Sequence, residues 1–405
     1  MSAGSEINYD PYDFEIDDDP YPVWRRLREE APLYYNEAFD FYALSRFDDV
    51  KAGLTDWKTY SSAKGMLLEI IKAVIEHGIE LPPGNVLFED PPIHDVHRGI
   101  LSRVFTPKRM LAIEPEVRAF CAEALDPLVG SGGFDFISDL GAQMPMRTIG
   151  MLLGIPESDQ VAIREAIDAS LVLDEDGHSP AETLDTLAYA EGLFGDYIDW
   201  RAKNPSDDLM TQMLQAELED ETGERRRLTR TEVLIYVSNV ASAGNETTTR
   251  LIGWMGKVLA EHPDQLRDVA DRRDLVPQVV EEVLRYEAPS PVQARYVTRD
   301  VEWHGQKVAE GNVMLMLNGA ANRDDRMFEN GDTFDIHRRI DQHLSFGFGL
   351  HFCLGAALAR LEGRVALDEV LKRWRSWEVD DDNAIQARTS TVRGWTRMPV
   401  RATAR

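Results

Sequence analysis

A cysteine near the end of the chain has the residue environment of a metal ligand. The segment from Phe346 to Gly355 reads FGFGLHFCLG, and its Cys353 is one of only two cysteines among 405 residues. Glycines on both sides allow the backbone to approach a flat cofactor closely and to adopt positive φ where a turn requires it. Amides of such a loop can donate to the sulfur and hold the thiolate that binds a metal. The alternative is a buried structural cysteine, because free cysteine is among the most buried residue types.

A second segment offers acid–base chemistry inside an apolar helical pattern. The pattern begins near Leu228 and is interrupted by Gly244, Glu246 and Thr247. Glycine in a helix interior costs about 1 kcal/mol relative to alanine, and the Thr247 hydroxyl can bond back to the carbonyl of Ala243, which bends a helix. We therefore expect an opened helix with an acid and a hydroxyl beside room for a small ligand. A kink with a surface Glu-Thr pair is the alternative.

Two further pairs place charged side chains on one helix face. His94 and Arg98 are four residues apart and follow two prolines, a place where helices start. Two donors on one face suit a carboxylate or a phosphate. Glu282 and Arg285 are three residues apart, with opposite charges on one face. Either pair alone is equally typical of a solvated surface, where ion pairs contribute little.

The composition limits the classes of partner. Lys and Arg total 44 against 71 Asp and Glu, a net charge of −27, so nucleic acid and anionic membranes repel the chain. No apolar run reaches the length of a membrane span, and residues 1–20 lack the features of a signal peptide. Two cysteines are too few for a disulfide framework. We expect a cytoplasmic protein with no nucleic-acid and no membrane partner.

Helical periodicity predominates in the middle of the chain, from about 115 to 287. Turn-forming residues predict breaks at 130–133, 154–156, 174–177 and 204–205. The charged stretch 217–227 predicts a surface loop, and 355–374 predicts one long helix after the cysteine. We expect a mainly α protein with small β-sheets, near 34–50, near 290–320 and at the C-terminus. Residues 1–405 are expected to form a single domain.

Taken together, these fragments resemble the cytochrome P-450 family, the haem-thiolate monooxygenases, over essentially the whole chain. The cysteine loop matches the family's Phe-Gly-x-Gly-x-His-x-Cys-x-Gly signature at every fixed position. Residues 243–248 match its oxygen-activation motif, and 282–285 match its Glu-x-x-Arg pair. Residues 322–324 and 334–338 match the stretch that leads to the cysteine. The length and the N-terminus resemble the soluble bacterial members.

The resemblance implies a cytochrome P-450 fold with haem b (iron protoporphyrin IX) between the central helix and the cysteine loop with its following helix. Cys353 is then the expected axial ligand of the iron, and Glu246 and Thr247 are the expected proton relay. Arg338 is expected to join Glu282 and Arg285 in a buried charge network. Residues expected at the propionates are His94, Arg98, Arg295 and His351. Further expected cofactor contacts are Ala243, Gly244, Phe346, Gly347 and Gly355.

The reaction that the resemblance implies is insertion of one oxygen atom from O2 into a hydrophobic organic substrate. The expected substrate contacts are Met66, Leu67, Ile70, Val240, Ala243, Val292 and Val392. These side chains are apolar, as ligand pockets mainly are, and Gln293 could add one polar contact. Steroid, terpenoid, fatty acid and polyketide all remain open as substrate classes.

Electrons are expected from NAD(P)H through a ferredoxin reductase and a ferredoxin. The expected docking face for an acidic ferredoxin consists of Arg98, Arg103, Lys108, Arg109 and Arg339. Its basis is a local basic cluster on an acidic chain, where complementary potentials speed encounter. The alternatives are a peroxide-driven haem enzyme of the same fold, a non-enzymatic haem sensor or carrier, and a structural protein without cofactor. The intact Glu246-Thr247 pair disfavours the first, and the glycine-lined cysteine loop disfavours the last.

Four positions depart from the family pattern. Asp325 and Gly331 stand where proline is common, and Val96 and His97 replace the usual Arg-Leu. None of them is among the expected chemical residues, so we expect them to change local surface details only.

Overall fold

Helices predominate in the computed structural model, which describes residues 7–174, 185–220 and 223–405. Most of the predicted break at 174–177 lies outside these residues. The helices are α1 Phe14–Asp18, α2 Tyr21–Glu30, α3 Phe47–Thr55, α4 Leu68–His77, α5 Ile93–Ser102, α6 Pro107–Ala112, α7 Glu114–Leu125, α8 Met144–Leu153, α9 Glu157–Ala169, α10 Thr186–Lys203, α11 Leu209–Gln215, α12 Arg230–Glu261, α13 Pro263–Asp271, α14 Val276–Tyr286, α15 Asn318–Ala321 and α16 Ala356–Arg373.

The longest of these helices, α12, organises the helical core. Thr229 and Glu232 form a capping box at its start, in which each side chain bonds to the backbone of the other residue. The helix packs against α8, α10, α14 and α16. Because neighbouring helices surround α12, apolar side chains lie around most of its circumference. Together with the neighbours they form one large hydrophobic cluster.

Small β-sheets flank this core. The strands are β1 Leu33–Asn36, β2 Phe41–Leu44, β3 Tyr60–Ser61, β4 Gly133–Asp135, β5 Glu217–Glu219, β6 Arg225–Arg227, β7 Gln293–Val297, β8 Val301–Trp303, β9 Gln306–Val308, β10 Val313–Met316, β11 Trp374–Val379, β12 Ile385–Gln386, β13 Trp395–Arg397 and β14 Pro399–Ala404. One sheet has the order β1-β2-β10-β7-β3, in which only β2 and β10 are parallel. The others are the antiparallel sheet β11-β14-β4 and the pairs β5–β6, β8–β9 and β12–β13.

The predicted fold class is confirmed, with three local corrections. The region 34–50 is β only as far as Leu44, because α3 begins at Phe47. The stretch 217–227 was predicted as a loop, but residues 217–219 and 225–227 pair as antiparallel strands, with opposite charges facing each other and Arg227 3.8 Å from Glu217. Strand β4 was not predicted at all. None of the described helices is long and apolar enough to cross a bilayer.

The expected opening of α12 is wrong. The helix is continuous through residues 240–249, although Thr247 Oγ1 does donate to the carbonyl of Ala243 at 2.8 Å. A Cβ at Gly244 would come within 2.6 Å of the Ile149 side chain on α8. The glycine therefore permits close packing of two helices, and it does not break one.

Candidate active site

The cysteine loop runs from a short 3-10 turn into α16. Gly347 and Gly349 have φ of 66° and 68°, a conformation that other residues rarely adopt. A Cβ at Gly349 would also lie 3.0 Å from the carbonyl oxygen of Leu54 in α3. The amide of Cys353 donates to the carbonyl of Phe346 at 2.8 Å and closes the loop. The glycines thus hold the cysteine at the start of α16.

The Cys353 sulfur lies among donors and near cations. The amides of Gly355 and Ala356 donate to it, and the Arg98 guanidinium is nearby. Burial among protein atoms raises the pKa of the thiol, and these groups oppose that rise. The side chain is nonetheless exposed, because it lines a cavity of about 610 Å³. A coordinating metal deprotonates a thiol outright, so this environment suits a metal-bound thiolate.

Two histidines and two arginines from three elements form a basic cluster next to the loop. The rings of His94 (α5) and His351 are 4.6 Å apart, and Arg98 (α5) donates to the carbonyl of Phe352. Arg295 comes from β7. Burial lowers the pKa of His351 to about 2, and the charges of Arg295, His94 and Arg98 add to the effect. The four side chains named at the propionates are therefore brought together.

The basic cluster has more donors than acceptors. The Nε2 atoms of His94 and His351 are buried without a hydrogen-bond partner. In the described part of the chain, neither Arg98 nor Arg295 forms an ion pair with a carboxylate. Burial lowers the pKa of Arg295 to about 10. Since buried charges are normally paired, the cluster is built for anionic groups that the protein does not supply.

Two side chains of α12 carry the expected acid–base chemistry, and they have different surroundings. Thr247 is partly exposed, and Ala243 one turn earlier is exposed. Glu246 is buried, and its Oε2 accepts from Arg250 Nη2 at 2.5 Å. Asp168 on α9 is near enough to Glu246 to feel its charge. Burial and that charge raise the pKa of Asp168 to about 8.

The Glu-x-x-Arg pair lies in the protein interior and not on its surface. Glu282 and Arg285 are both 0% exposed, with Nε and Oε2 2.7 Å apart. Arg338 Nε lies 3.3 Å from Glu282 Oε1. Arg285 also donates to the carbonyls of Asn322 at 2.8 Å and Gly331 at 2.7 Å. The pair therefore ties α14 to the segment that leads to the cysteine loop.

Comparisons with known proteins agree with this site. The family model described as "Cytochrome P450" matches residues 196–402. A "Putative cytochrome P450 123" of Mycobacterium tuberculosis is 38% identical over 406 residues, which is 99% of this chain and 98% of the relative. The chain belongs to the cytochrome P-450 family. Two solved P-450 structures have the same fold. CYP109Q5 from Chondromyces apiculatus is 32% identical with a TM-score of 0.86, and the match covers 98% of this chain and 99% of that chain. CYP109E1 from Bacillus megaterium, solved in complex with testosterone, is 27% identical with a TM-score of 0.85, and the match covers 96% of this chain and 98% of that chain.

The residues of this P-450 fit the cofactor of its family. P-450 enzymes are monooxygenases that bind haem through a cysteine thiolate. Here one accessible thiol and the two unpartnered histidine nitrogens lie around the same loop. A thiolate acceptor for iron and donors for two carboxylates are the set that iron protoporphyrin IX requires.

The seven expected substrate contacts fall into two groups. One cavity of about 60 Å³ is lined by Met66, Leu67, Val292 and Val392. The remaining three, Ile70, Val240 and Ala243, do not line it. Only part of the expected set therefore converges.

Sequence reasoning missed a polar residue in the lining of this cavity. Glu69 on α4 also lines it and is buried. Its carboxylate accepts from Tyr12 Oη at 3.1 Å and from Ser390 Oγ at 2.5 Å. The available signal was its place beside the inward-facing Leu68 in the short apolar helix.

The four departures are more than surface details. Asp325 Oδ1 accepts from the amide of Gly331 at 2.7 Å, a bond that proline at 331 could not make. His97 is buried, with Nδ1 2.8 Å from Glu89 and Nε2 3.4 Å from Glu232. Three of the four departures, Asp325, Gly331 and His97, thus have partners within the fold, and the expectation of a merely superficial effect is wrong.

Proposed function

We propose that this P-450 hydroxylates a hydrophobic organic compound, with Cys353 as the iron ligand and with electrons delivered by a ferredoxin. The observation that supports it best is the accessible Cys353 beside a basic cluster whose buried histidine nitrogens lack partners. Bound haem supplies the activation of dioxygen that no side chain of the protein can perform. The protein holds the cofactor, excludes water and moves protons.

Each element of the site has a separate task in this proposal. The amides of Gly355 and Ala356 stabilise the thiolate. His94, His351 and Arg295 would bind the propionates and so hold the cofactor in place. On α12, Glu246 passes protons toward the hydroxyl of Thr247, which the Ala243 carbonyl holds at 2.8 Å.

The ligand assignment is tested by replacing either cysteine. Cys353→Ser should abolish the red-shifted Soret band that the carbon monoxide complex of a thiolate-ligated haem shows on reduction. Cys121→Ala is the matched control, because Cys121 is buried elsewhere, on α7, and the band should persist. A normal thiolate spectrum in Cys353→Ser would refute the assignment.

The substrate is proposed to be largely apolar, with one or two polar groups. The small cavity is lined by apolar side chains and by several polar ones, among them Glu69, whose carboxylate can accept from a substrate hydroxyl or amine. The similar CYP109E1 was solved with testosterone, which fits this description. Spectral titration with a panel of steroids, terpenoids, fatty acids and polyketides tests the proposal. A fatty acid as the only binder would contradict it, because Glu69 repels a carboxylate.

The ferredoxin is proposed to dock where α5 and α6 border the cavity beside Cys353. Arg103, Lys108 and Arg109 are exposed there, and the exposed Leu111 lines the cavity. Arg339 contributes less, because it pairs with Asp341 at 3.1 Å. Lys108→Glu should slow ferredoxin-driven reduction and weaken its dependence on ionic strength. Lys203→Glu, an exposed lysine at the end of α10, is the control, and equal rates in both variants would exclude this face.

A further inference from the structure

A carboxylate of α14 joins the two segments that flank the cysteine loop. Glu281 directly precedes the Glu-x-x-Arg pair in the sequence, yet it has a different set of partners. Its Oε1 accepts from Arg360 Nε at 2.6 Å, and its Oε2 accepts from Arg360 Nη2 at 3.0 Å. Its Oε2 also lies 3.2 Å from His343 Nε2. Since Arg360 belongs to α16 and His343 lies just before the loop, Glu281 connects the two ends of that loop.

The contacts of this carboxylate keep it ionised and hold it in one place. The amide of Ser345 donates to His343 Nδ1 at 3.2 Å, so the ring proton is on Nε2 and faces Glu281. Burial raises the pKa of Glu281, but the hydrogen bonds from His343 and Arg360 outweigh that effect and lower it to about 2. Glu281 is therefore a carboxylate at neutral pH, and its bidentate pair with Arg360 has a defined geometry.

The bidentate pair holds the Arg360 guanidinium over an aromatic ring of the cysteine loop. Arg360 Cζ lies 4.5 Å from the centroid of the Phe346 ring, and the Phe346 carbonyl accepts from the amide of Cys353 at 2.8 Å. Arg360 and Cys353 line the same cavity, and the charge of Arg360 acts on the Cys353 sulfur. The Arg360 side chain is 34% exposed, so it can turn toward solvent when its carboxylate partner is lost. The position of this cation therefore depends on Glu281.

We propose that Glu281 is a positioning residue for reduction of the haem iron: it holds the Arg360 cation beside the Cys353 thiolate, where that cation favours the reduced state. The inference rests on the proposed role of Cys353 as the iron ligand and extends the site to a carboxylate on α14. The electron that the ferredoxin donates converts ferric to ferrous iron and adds one negative charge to the site. A cation fixed nearby stabilises that added charge.

The reduction potential of the haem-loaded, substrate-free protein measures this effect without turnover. In a spectroscopic redox titration, Arg360→Met should lower the equilibrium constant for reduction about tenfold, a shift of about 59 mV for one electron. Glu281→Gln should shift the potential in the same direction, because the released guanidinium turns away from the sulfur. Arg364→Met is the matched control: this arginine lines the same cavity one turn farther along α16, and its loss should leave the potential near the wild-type value.

The sign of the shift in Glu281→Gln separates positioning from a simple effect of charge. If Arg360 kept its place without Glu281, removal of the carboxylate would make the site more positive and raise the potential. A raised or unchanged potential in Glu281→Gln would therefore overturn the proposal. Arg360→Lys gives a second test if Glu281→Gln does not fold, because lysine keeps the charge but cannot form the bidentate pair. Its potential should fall partway toward that of Arg360→Met, and a wild-type potential would overturn the proposal as well.

The full chain without haem gives a readout that does not depend on the ligand assignment. Cys353 is accessible and Cys121 is buried, so alkylation rates with anionic iodoacetate and neutral iodoacetamide report on Cys353. At one pH the thiolate fraction cancels in the ratio of the two rates. This ratio should fall about threefold in Arg360→Met and in Glu281→Gln, because the cation that attracts the anion has left the sulfur. An unchanged ratio in both variants would refute the placement of Arg360, whereas a normal thiolate spectrum in Cys353→Ser would refute only the ligand assignment.

Discussion

The charges around Arg285 and those around Arg295 are both buried, yet they differ in how they are satisfied. Arg285 pairs with Glu282 and donates to backbone carbonyls on the segment before the cysteine loop. Arg295 donates only to the carbonyl of Ala294 and to Gln293 Oε1 among the described groups. The Arg285 guanidinium is fully hydrogen-bonded and has a carboxylate partner within the chain, whereas the Arg295 guanidinium has no carboxylate partner among the described residues.

This difference separates a structural charge from a binding charge. A complete buried network is satisfied whether or not a ligand is present, and loss of one member leaves the other as an uncompensated buried charge. An incomplete network destabilises the folded chain, because a buried charge lacks a partner. A bound ligand of opposite charge supplies that partner and stabilises the fold. Substitutions in the two regions should therefore affect stability in opposite directions.

The largest effect is expected at the complete network. Arg285→Met leaves the carboxylate of Glu282 buried, and loss of one partner of a buried pair costs about 3–5 kcal/mol. The measurement is the free energy of unfolding in urea. Arg26→Met is the control, because its pair with Glu30 lies on the surface, where ion pairs contribute little to stability. A similarly small loss in both variants would remove the distinction.

The opposite result is expected in the incomplete network. Arg295→Met removes a buried cation without a carboxylate partner, so the apoprotein should be as stable as the wild type or more stable. Haem should bind about 10–100-fold more weakly, the effect of losing one charge-assisted hydrogen bond. Arg299→Met, an exposed neighbour paired with Asp56 at 3.4 Å, should change neither quantity. A destabilised Arg295→Met apoprotein would mean that this arginine is structural.

A third buried cluster, around His97, is compared with the other two through the pH dependence of stability. Burial lowers the pKa of His97, but its contacts with Glu232 and Glu89 outweigh that effect and raise it to about 9. The folded pKa exceeds the unfolded value of about 6.5, so the stabilisation is complete below that value and is lost as pH rises through about 9. We expect a loss of about 1–2 kcal/mol after screening.

The check on His97 is a series of urea unfolding curves between pH 6 and 10. His97→Gln should flatten this part of the stability profile. The exposed His77 at the end of α4 provides the control variant His77→Gln, which should keep the wild-type slope. Identical slopes in all three proteins would show that His97 is not charged in the fold.

The smallest effect is expected at the edge of the Arg285 network. Asp325→Ala removes one hydrogen bond to the amide of Gly331, whose carbonyl accepts from Arg285. The cost should be about 1 kcal/mol, measured as a shift of the thermal midpoint. Asp341→Ala, which removes an exposed carboxylate, should leave the midpoint unchanged. A loss as large as that of Arg285→Met would mean that Gly331 holds the whole network in place.

Local sequence signals predict the parts of this fold whose determinants lie close together in the chain. The β region near 34–50 and helix α16 follow from short-range patterns; the helix is confirmed, and the β region is confirmed as far as Leu44. The glycine spacing of the cysteine loop likewise needs only residues 346–355. In contrast, the burial of Glu282 and Arg285 depends on the segment around Gly331, almost fifty residues away. The same i,i+3 spacing is equally typical of a surface pair, so spacing alone could not decide.

Contacts between helices that lie far apart in the sequence could not be predicted, for a physical reason. Gly244 was interpreted as a helix break because its penalty is local, whereas its benefit comes from Ile149 on α8. Asp168 had no motif at all, and only the packing of α9 against α12 brings it near Glu246. Tertiary packing overrides a local propensity of about 1 kcal/mol.

The two cysteines also allow the fraction of protein without bound cofactor to be measured. Cys121 is 0% exposed and burial raises the pKa of its thiol, so it is inert toward thiol reagents in the folded state. Cys353 is accessible from a cavity. A maleimide dye therefore reacts at one position in folded protein without cofactor and at none once the sulfur is ligated. The number of dye molecules bound per chain therefore gives the fraction of cofactor-free protein in any preparation, without reference to colour or activity.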